Sequence, residues 1–223
     1  MPSLLQNFLN PTTPSLKVCG VTIPDDAEQL AALDVPALGV NFWPQSKRYC
    51  PPESAADFLP SLQDRILRVG VFVNSGPELP AQLFQDGLID LIQFHGDETP
   101  EDCVAFAALN IPFIKAIGVN SAASLEHSED YRAAGLLLDA HAPGIYGGTG
   151  ETIDWTLARQ FIDSHPDLPL ILAGGITPDN AADALATVRP AALDVASGSE
   201  SEPGIKDFTK VSALQKVVQA SSL

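Results

Sequence analysis

The feature that most constrains the fold is a regular alternation of short apolar runs with longer amphipathic segments. Eight runs rich in Val, Ile and Leu recur roughly every 20 to 35 residues, the length of a strand plus a crossover helix. Most have apolar residues at both alternating sets of positions, as expected for parallel strands buried on both faces. The runs are Leu16–Val21, Ala37–Phe42, Ile66–Val73, Asp90–Phe94, Phe113–Val119, Gly135–Leu138, Leu170–Ala173 and Ala191–Ala196.

The segments between the runs carry helix-start signals. Thr99-Pro100 and Thr177-Pro178 each place a Thr before a Pro, so Thr is predicted as the N-cap and Pro as the first helical residue. Pro24 is followed by two acidic residues, which also favour a first helical turn. The segment Asp207–Ser221 has apolar residues at helical spacing and predicts a final helix.

Eight β-then-α units in about 210 residues predict a (β/α)₈ TIM barrel. An open, doubly wound sheet is the alternative, but the turn after the first run, Cys19–Thr22, lacks the G-x-G-x-x-G pattern of dinucleotide-binding sheets. No Pro/Gly/Ser-rich linker divides the chain. We therefore expect a single barrel domain over residues 16–223, preceded by an N-terminal extension, residues 1–15, that forms a loose arm or an extra cap.

Composition excludes several classes of protein. The 223 residues carry 12 Lys and Arg against 28 Asp and Glu, a net charge of −16, which disfavours binding to nucleic acid or to an anionic membrane. Three cysteines without CxxC spacing predict neither a disulfide framework nor structural zinc. No run approaches the roughly 20 apolar residues that span a bilayer, and no targeting signal stands at the N-terminus, so a cytoplasmic protein is expected.

Polar or Gly residues follow nearly every predicted strand. In barrels of this class functional groups gather at the carboxyl ends of the strands, so these residues should meet at one end of the molecule. Such clustering exceeds what a purely structural barrel needs. The segments are Lys17–Gly20, Asn41–Tyr49, Gln93–Asp97, Leu138–Ala140, Ala173–Gly175 and Ala196–Gly198.

Two glycine-containing turns predict a phosphate site. Gly174-Gly175 and Ser197-Gly198 follow the seventh and eighth strands, where backbone N–H groups of this fold commonly hold a phosphate. Tight turns between strand and helix are the structural alternative. A third Gly-rich segment, Gly147–Gly150, contains Gly148 but is not a Walker A motif, because no Gly-Lys-Ser/Thr follows it.

Together these motifs resemble the phosphoribosylanthranilate isomerase family of tryptophan biosynthesis. The resemblance covers almost the whole chain from Leu16 to Asp207, and the motifs occur in the order of the family. They are Lys17–Gly20, Phe42–Tyr49, Gln93–Gly96, Leu138-Asp139, Gly147–Gly150 with Asp154-Trp155, Leu172–Ile176 and Asp194–Asp207.

The resemblance implies a cofactor-free Amadori rearrangement of a small phosphorylated substrate, N-(5′-phosphoribosyl)anthranilate. It implies that Asp139 is the general acid, which should hold its proton near neutral pH, and that Cys19 is the general base, whose surroundings should favour the thiolate. Lys17 lies on the same strand face as Cys19, where its positive charge is a candidate for favouring the thiolate. A Cys considered alone is more often a small buried hydrophobe, and we assign that role to Cys50 and Cys103.

Further substrate contacts are expected around this pair. Arg48 is the candidate for the anthranilate carboxylate, because a guanidinium can bind a carboxylate through two hydrogen bonds; an exposed loop cation is the alternative. His95 either lines the substrate side of the pocket or bonds the backbone. The remaining residues predicted to bind substrate are Gly148, Gly174, Gly175, Ser197 and Gly198. No metal site is predicted, and the chain is expected to be a monomer or a homodimer.

Two other functions are compatible with the sequence. One is another phosphosugar barrel, either an indoleglycerol-phosphate synthase, which needs catalytic Lys and Glu, or the aminoaldose isomerase of histidine biosynthesis, which uses an Asp where this chain has Cys19. The other is a non-catalytic phosphate-binding scaffold. Such a scaffold has no need for an acid and a base, so Cys19, Asp139 and Arg48 together disfavour it.

Overall fold

The computed structural model describes residues 3–10, 12–140 and 153–221. Eight parallel strands form a closed barrel in sequence order, and β1 pairs with β8 to complete it. The predicted (β/α)₈ barrel is thereby confirmed. The strands are β1 Ser15–Cys19, β2 Ala37–Asn41, β3 Leu67–Phe72, β4 Leu91–Phe94, β5 Phe113–Val119, β6 Gly135–Ala140, β7 Leu170–Leu172 and β8 Ala192–Val195.

Helices surround most of the barrel. They are α1 Leu4–Leu9, α2 Pro24–Ala32, α3 Pro52–Ala56, α4 Glu78–Gln85, α5 Pro100–Ala108, α6 Trp155–Ser164, α7 Ala181–Val188 and α8 Phe208–Ala220. A short hairpin of β9 Glu200–Glu202 and β10 Ile205–Lys206 stands between β8 and α8. None of the helices in the described part of the chain combines the length and apolarity needed to cross a membrane.

The helix-start signals were confirmed at Pro24, which begins α2, and at Thr99-Pro100, and were wrong at Thr177-Pro178. Thr99 caps α5 as predicted: its hydroxyl accepts from the Asp102 N–H at 3.3 Å, and the Asp102 carboxylate accepts from the Thr99 N–H at 2.8 Å. Helix α7, by contrast, begins only at Ala181. The Asn180 side chain accepts from the Thr177 N–H at 2.8 Å, which closes a separate turn before the helix.

The connection from β5 to β6 also differs from the expected strand-helix repeat. Residues 120–134 contain two short 3₁₀ helices, Ala122–Leu125 and Ser128–Tyr131, where an α-helix was predicted. His127 and Arg132 adopt left-handed backbone conformations, with φ of 62° and 53°. Such residues cannot continue a right-handed helix, so the segment stays as two single turns.

Two hydrophobic clusters hold the barrel together. The larger lies between the strands and the surrounding helices, and the smaller fills the inside of the barrel. Helix α1 joins the smaller cluster through Phe8, which is fully buried, and through Leu9. Its neighbours include Ala37 and Leu67 at the starts of their strands, so this part of the N-terminal extension covers the amino-terminal end of the barrel.

The strand parity that fills the interior also positions polar groups. Successive strand residues alternate between the two faces of a sheet. Leu91 of β4, Leu137 of β6 and Ala192 of β8 belong to the interior cluster. Residues at the same parity therefore point inward nearer the carboxyl ends of these strands; they are Gln93, Asp139 and Asp194.

Candidate active site

A cavity of 350 Å³ opens at the carboxyl ends of the strands. Its polar lining comes from loops and strands far apart in sequence, as the barrel topology requires. Gly198 is not among the lining residues, and Gly148 lies outside the described residues. Seven of the predicted site residues line this cavity: Cys19, Arg48, His95, Asp139, Gly174, Gly175 and Ser197.

Cys19 stands at the end of β1 beside a buried ion pair. The Lys17 ammonium, fully buried, donates to the Asp194 carboxylate at 2.8 Å. The prediction that the surroundings of Cys19 favour the thiolate is wrong. Burial and the negative charge of Asp194 raise the pKa of the thiol, and they outweigh the opposing effects of Lys17 and Lys206.

Lys206 approaches Cys19 from the hairpin after β8. Its ammonium donates to the carbonyl oxygen of Cys19 at 2.6 Å and to the Glu200 carboxylate at 2.8 Å. Burial lowers the pKa of Lys206, against the opposing effect of Glu200. Cys19 is thus surrounded by three cations, Lys17, Arg48 and Lys206, and by two carboxylates, those of Asp194 and Glu200. The cations outnumber the carboxylates, so this part of the site is locally cationic in an acidic protein.

Arg48 lines the cavity but already has a carboxylate partner. Its Nε lies 2.8 and 3.1 Å from the two Glu200 carboxylate oxygens, and its Nη2 lies 2.7 Å from Oε2. Glu200 is buried, and its hydrogen bonds raise the pKa of Arg48. The end of the guanidinium formed by Nη1 and Nη2 is what remains for a ligand, since among the described residues Nη1 has no hydrogen-bond partner.

Asp139 lies at the end of β6, only 7% exposed. Its Oδ1 accepts from the Ala140 N–H at 2.8 Å, and its Oδ2 lies 3.3 Å from the Nε2 of His95. The other ring nitrogen of His95, Nδ1, is 2.7 Å from the Nε2 of Gln93. The imidazole therefore faces the carboxylate of Asp139 and lines the cavity, and of the two alternatives for His95 the structure has the pocket-lining one.

The turns after β7 and β8 come together as the predicted phosphate site requires. Gly174 and Gly175 have φ of 83° and 60°, and among the described residues no acceptor is found for their N–H groups. Ser197 begins a 3₁₀ turn, whose first N–H groups have no partner within the turn. A side chain at Gly198 would place Cβ 1.9 Å from the Ile176 carbonyl oxygen, so Gly198 permits this close approach without lining the cavity.

Sequence reasoning assigned no role to four polar residues that shape the site: Gln93, Asp194, Glu200 and Lys206. Gln93 and Asp194 interrupt otherwise apolar strands at inward parity, and that signal could have identified them. Glu200 and Lys206 lie in a hairpin after β8, and their sequence signal was their place in the motif Asp194–Asp207, to which no role was assigned. Within residues 3–10, 12–140 and 153–221, no three His, Cys, Asp or Glu side chains are placed to hold a metal ion.

Comparisons with known proteins agree with this architecture. The family model described as "N-(5'phosphoribosyl)anthranilate (PRA) isomerase" matches residues 16–219. An N-(5′-phosphoribosyl)anthranilate isomerase of Trichlorobacter lovleyi is 42% identical over 196 residues, which is 88% of this chain and 93% of that protein.

Solved structures give the same result. The phosphoribosyl anthranilate isomerase of Thermotoga maritima is 36% identical, with a TM-score of 0.82 over 92% of this chain and 98% of its own. A phosphoribosyl anthranilate isomerase in complex with reduced 1-(o-carboxyphenylamino)-1-deoxyribulose 5-phosphate is 34% identical, with a TM-score of 0.79 over 92% and 98% of the two chains. The chain therefore belongs to the phosphoribosylanthranilate isomerase family, the isomerases of tryptophan biosynthesis.

Proposed function

We propose that this enzyme converts N-(5′-phosphoribosyl)anthranilate to 1-(2-carboxyphenylamino)-1-deoxyribulose 5-phosphate, with Asp139 as general acid and Cys19 as general base. The observation that carries the proposal is the placement of both groups in one cavity, with phosphate-type turns and a cation beside them. In the closed barrel β6 is three strands from β1 by way of β7 and β8, so the two groups face the substrate from different sides.

Asp139 acts first in this scheme. Its proton passes to the furanose ring oxygen, the bond from that oxygen to C1 breaks, and the anthranilate nitrogen forms an iminium with C1. The carboxylate that remains has a hydrogen-bond donor at Oδ1 from the Ala140 N–H and an imidazole facing Oδ2.

Cys19 acts second. The thiolate takes the proton from C2, and the electron pair of that bond neutralises the iminium to give an enolamine. Proton transfer from the C2 hydroxyl to C1 then yields the ketone, so no external oxidant or reductant is needed. Because burial raises the pKa of Cys19, the thiolate needs extra positive charge nearby. Lys17 and Lys206 supply part of it, and the iminium formed in the first step supplies the rest.

The two anionic ends of the substrate are bound by different means. The phosphate is held by backbone N–H groups of the turns at Gly174-Gly175 and Ser197-Gly198, which require no Lys or Arg. The anthranilate carboxylate binds the free end of Arg48, whose other edge Glu200 fixes in place. This division accounts for binding of a dianionic phosphate and a carboxylate by a chain of net charge −16.

An anthranilate-fluorescence assay with freshly generated substrate tests the proposal. We expect Cys19→Ala and Asp139→Asn each to lower kcat by at least about 10²-fold, the low end for general acid–base groups. Cys103→Ala, at a buried Cys of α5, and Asp167→Asn, at an exposed Asp, are the matched controls and should stay near the wild-type rate. A near-wild-type rate in either site variant would refute the role of that residue.

Arg48→Ala tests the binding part of the proposal. Loss of the guanidinium should raise KM through weaker binding of the anthranilate end. Unchanged KM and kcat together would show that Arg48 serves only its ion pair with Glu200.

A further inference from the structure

Gln93 is a fully buried amide on the inward face of β4, two residues before His95. Its Nε2 lies 2.7 Å from the Nδ1 of His95. Its Oε1 is buried and, among the described residues, has no hydrogen-bond partner. Burying an amide with only one hydrogen-bond contact lowers the free energy of unfolding, and an apolar side chain would avoid that loss. The amide at this position therefore indicates a role for its contact with His95.

The orientation of the Gln93 amide decides where His95 carries its proton. With Nε2 of Gln93 toward the ring, Nδ1 accepts a hydrogen bond, and the neutral imidazole has its proton on Nε2. Among the described residues, the observed orientation leaves the carbonyl oxygen and one N–H of the amide without a partner, whereas the reverse orientation would leave both N–H groups without an acceptor. Unpaired buried N–H groups are rarer in proteins than under-satisfied carbonyls, which favours the observed orientation.

The Nε2 of His95 lies 3.3 Å from Oδ2 of Asp139. We propose that Gln93 is a positioning residue that holds His95 as the Nε2–H tautomer, so that the ring donates to the Asp139 carboxylate as this releases its proton to the substrate. The inference rests on the proposed role of Asp139 as general acid. The ring N–H would stabilise the carboxylate that forms as Asp139 gives up its proton, and Gln93 fixes that N–H through its own contact with the ring.

Other charged groups around the pair belong to separate contacts. Behind His95, the Lys115 ammonium donates to the Gly96 carbonyl at 2.7 Å and lies 3.1 Å from the Glu98 carboxylate. Across the cavity stand Cys19 with the Lys17–Asp194 pair, and Arg48 with Glu200. None of these contacts involves Gln93, so a change of its side chain tests the Gln93–His95–Asp139 arrangement alone.

Nitrogen-15 NMR of the imidazole rings in ¹⁵N-histidine-labelled enzyme reads the tautomer directly. The His95 signals are assigned by their loss in His95→Asn. We expect the wild type to carry the proton on Nε2. Gln93→Glu replaces the donor with an acceptor and should move the proton to Nδ1, whereas Gln93→Met, similar in length, should leave a mixture. A wild-type ring protonated on Nδ1 would overturn the inference.

Kinetics of the same variants test the link to Asp139. In Gln93→Met the alkaline limb of the kcat profile should move to higher pH and kcat should fall roughly tenfold, as for loss of a hydrogen bond to a charged group, with KM nearly unchanged. Gln215→Met, which removes another buried amide that donates to the Leu33 carbonyl, is the control and should leave the profile in place.

An unmoved alkaline limb in Gln93→Met would overturn the inference even if the variant were slower. Full activity of Asp139→Asn would refute the proposed acid instead and would leave the tautomer assignment standing, so the two failures are distinguishable. If Gln93→Glu does not fold, Gln93→Met decides the result by both readouts.

Discussion

Gly198→Ala offers a stringent test of how the phosphate site is built. An alanine Cβ would lie 1.9 Å from the Ile176 carbonyl oxygen and 3.1 Å from the Thr177 Cα. Carbon–oxygen contacts are normally no shorter than about 3.3 Å, so the turns after β7 and β8 must separate by roughly 1.4 Å. In the proposed site both turns supply N–H groups to one phosphate, so a shift of this size should break the hydrogen bonds from one of them.

The expected loss follows from those hydrogen bonds. One or two bonds to a charged phosphate correspond to about 1.5–3 kcal/mol each, so KM should rise at least about tenfold. Overpacking should also cost roughly 1–3 kcal/mol of folding free energy, which lowers Tm by about 2–12 °C in a chain of this size. Steady-state kinetics and inhibition by inorganic phosphate measure the loss of phosphate binding, and thermal melting measures the loss of stability.

Gly87→Ala is the matched control, since it adds a methyl group at a loop glycine with no atom within 4 Å of the new Cβ. It should lose some stability through its φ of +70°, but KM and phosphate inhibition should not change. Unchanged KM and unchanged phosphate inhibition in Gly198→Ala would refute the assignment of these two turns as the phosphate site.

Two further predictions concern the charges around Cys19. Burial raises the pKa of Glu200, but the Arg48 and Lys206 contacts outweigh burial and hold that pKa below its ordinary value of 4.5. The stability that the carboxylate contributes is therefore present above pH 4.5 and is lost as the pH falls further. Glu200→Gln should therefore destabilise the enzyme by about 3 kcal/mol at pH 7 and flatten its loss of stability on acidification. Denaturant melts from pH 7 to about 3 that match the wild type would contradict this. Cys19 should react with iodoacetamide before Cys50 and Cys103, whose pKa values are raised to about 11 and about 12, because it lines the cavity. Its rate should still be rising above pH 9, since its pKa is raised, and peptide mapping that shows a plateau below pH 8 would show a preformed thiolate instead.

The sequence was most informative about the barrel wall. Strands such as Leu170–Leu172 are buried at every position, so a continuous apolar run was a direct signal. The starts of helices were harder to predict, because a local sequence pattern does not show which other contacts compete for the same backbone groups. Thr99-Pro100 and Thr177-Pro178 look alike in sequence, yet only the former begins a helix; beside the latter, the Asn180 side chain closes a turn of its own.

In the candidate site, too, some features could be predicted from the sequence and others could not. Cys19, His95 and Asp139 could be grouped from sequence because strand ends in a barrel converge. The ion pair of Arg48 with Glu200 joins residues 152 positions apart, and the contact of Lys206 with Cys19 spans 187, so neither has a local signature. The direction of the Cys19 pKa shift depends on how burial and Asp194 balance two lysines, which only the three-dimensional arrangement determines.

The division of labour between Asp139 and Cys19 is tested most directly by a kinetic isotope effect. Substrate deuterated at C2 of the ribose is compared with ordinary substrate in Cys19→Ser and Asp139→Asn under single-turnover conditions. Weakening the base should make C2–H cleavage limiting, so Cys19→Ser should show a full primary isotope effect. Asp139→Asn should show almost none, because ring opening precedes the isotope-sensitive step. The reverse pattern, or equal isotope effects in the two variants, would contradict the assignment of Cys19 as base and Asp139 as acid.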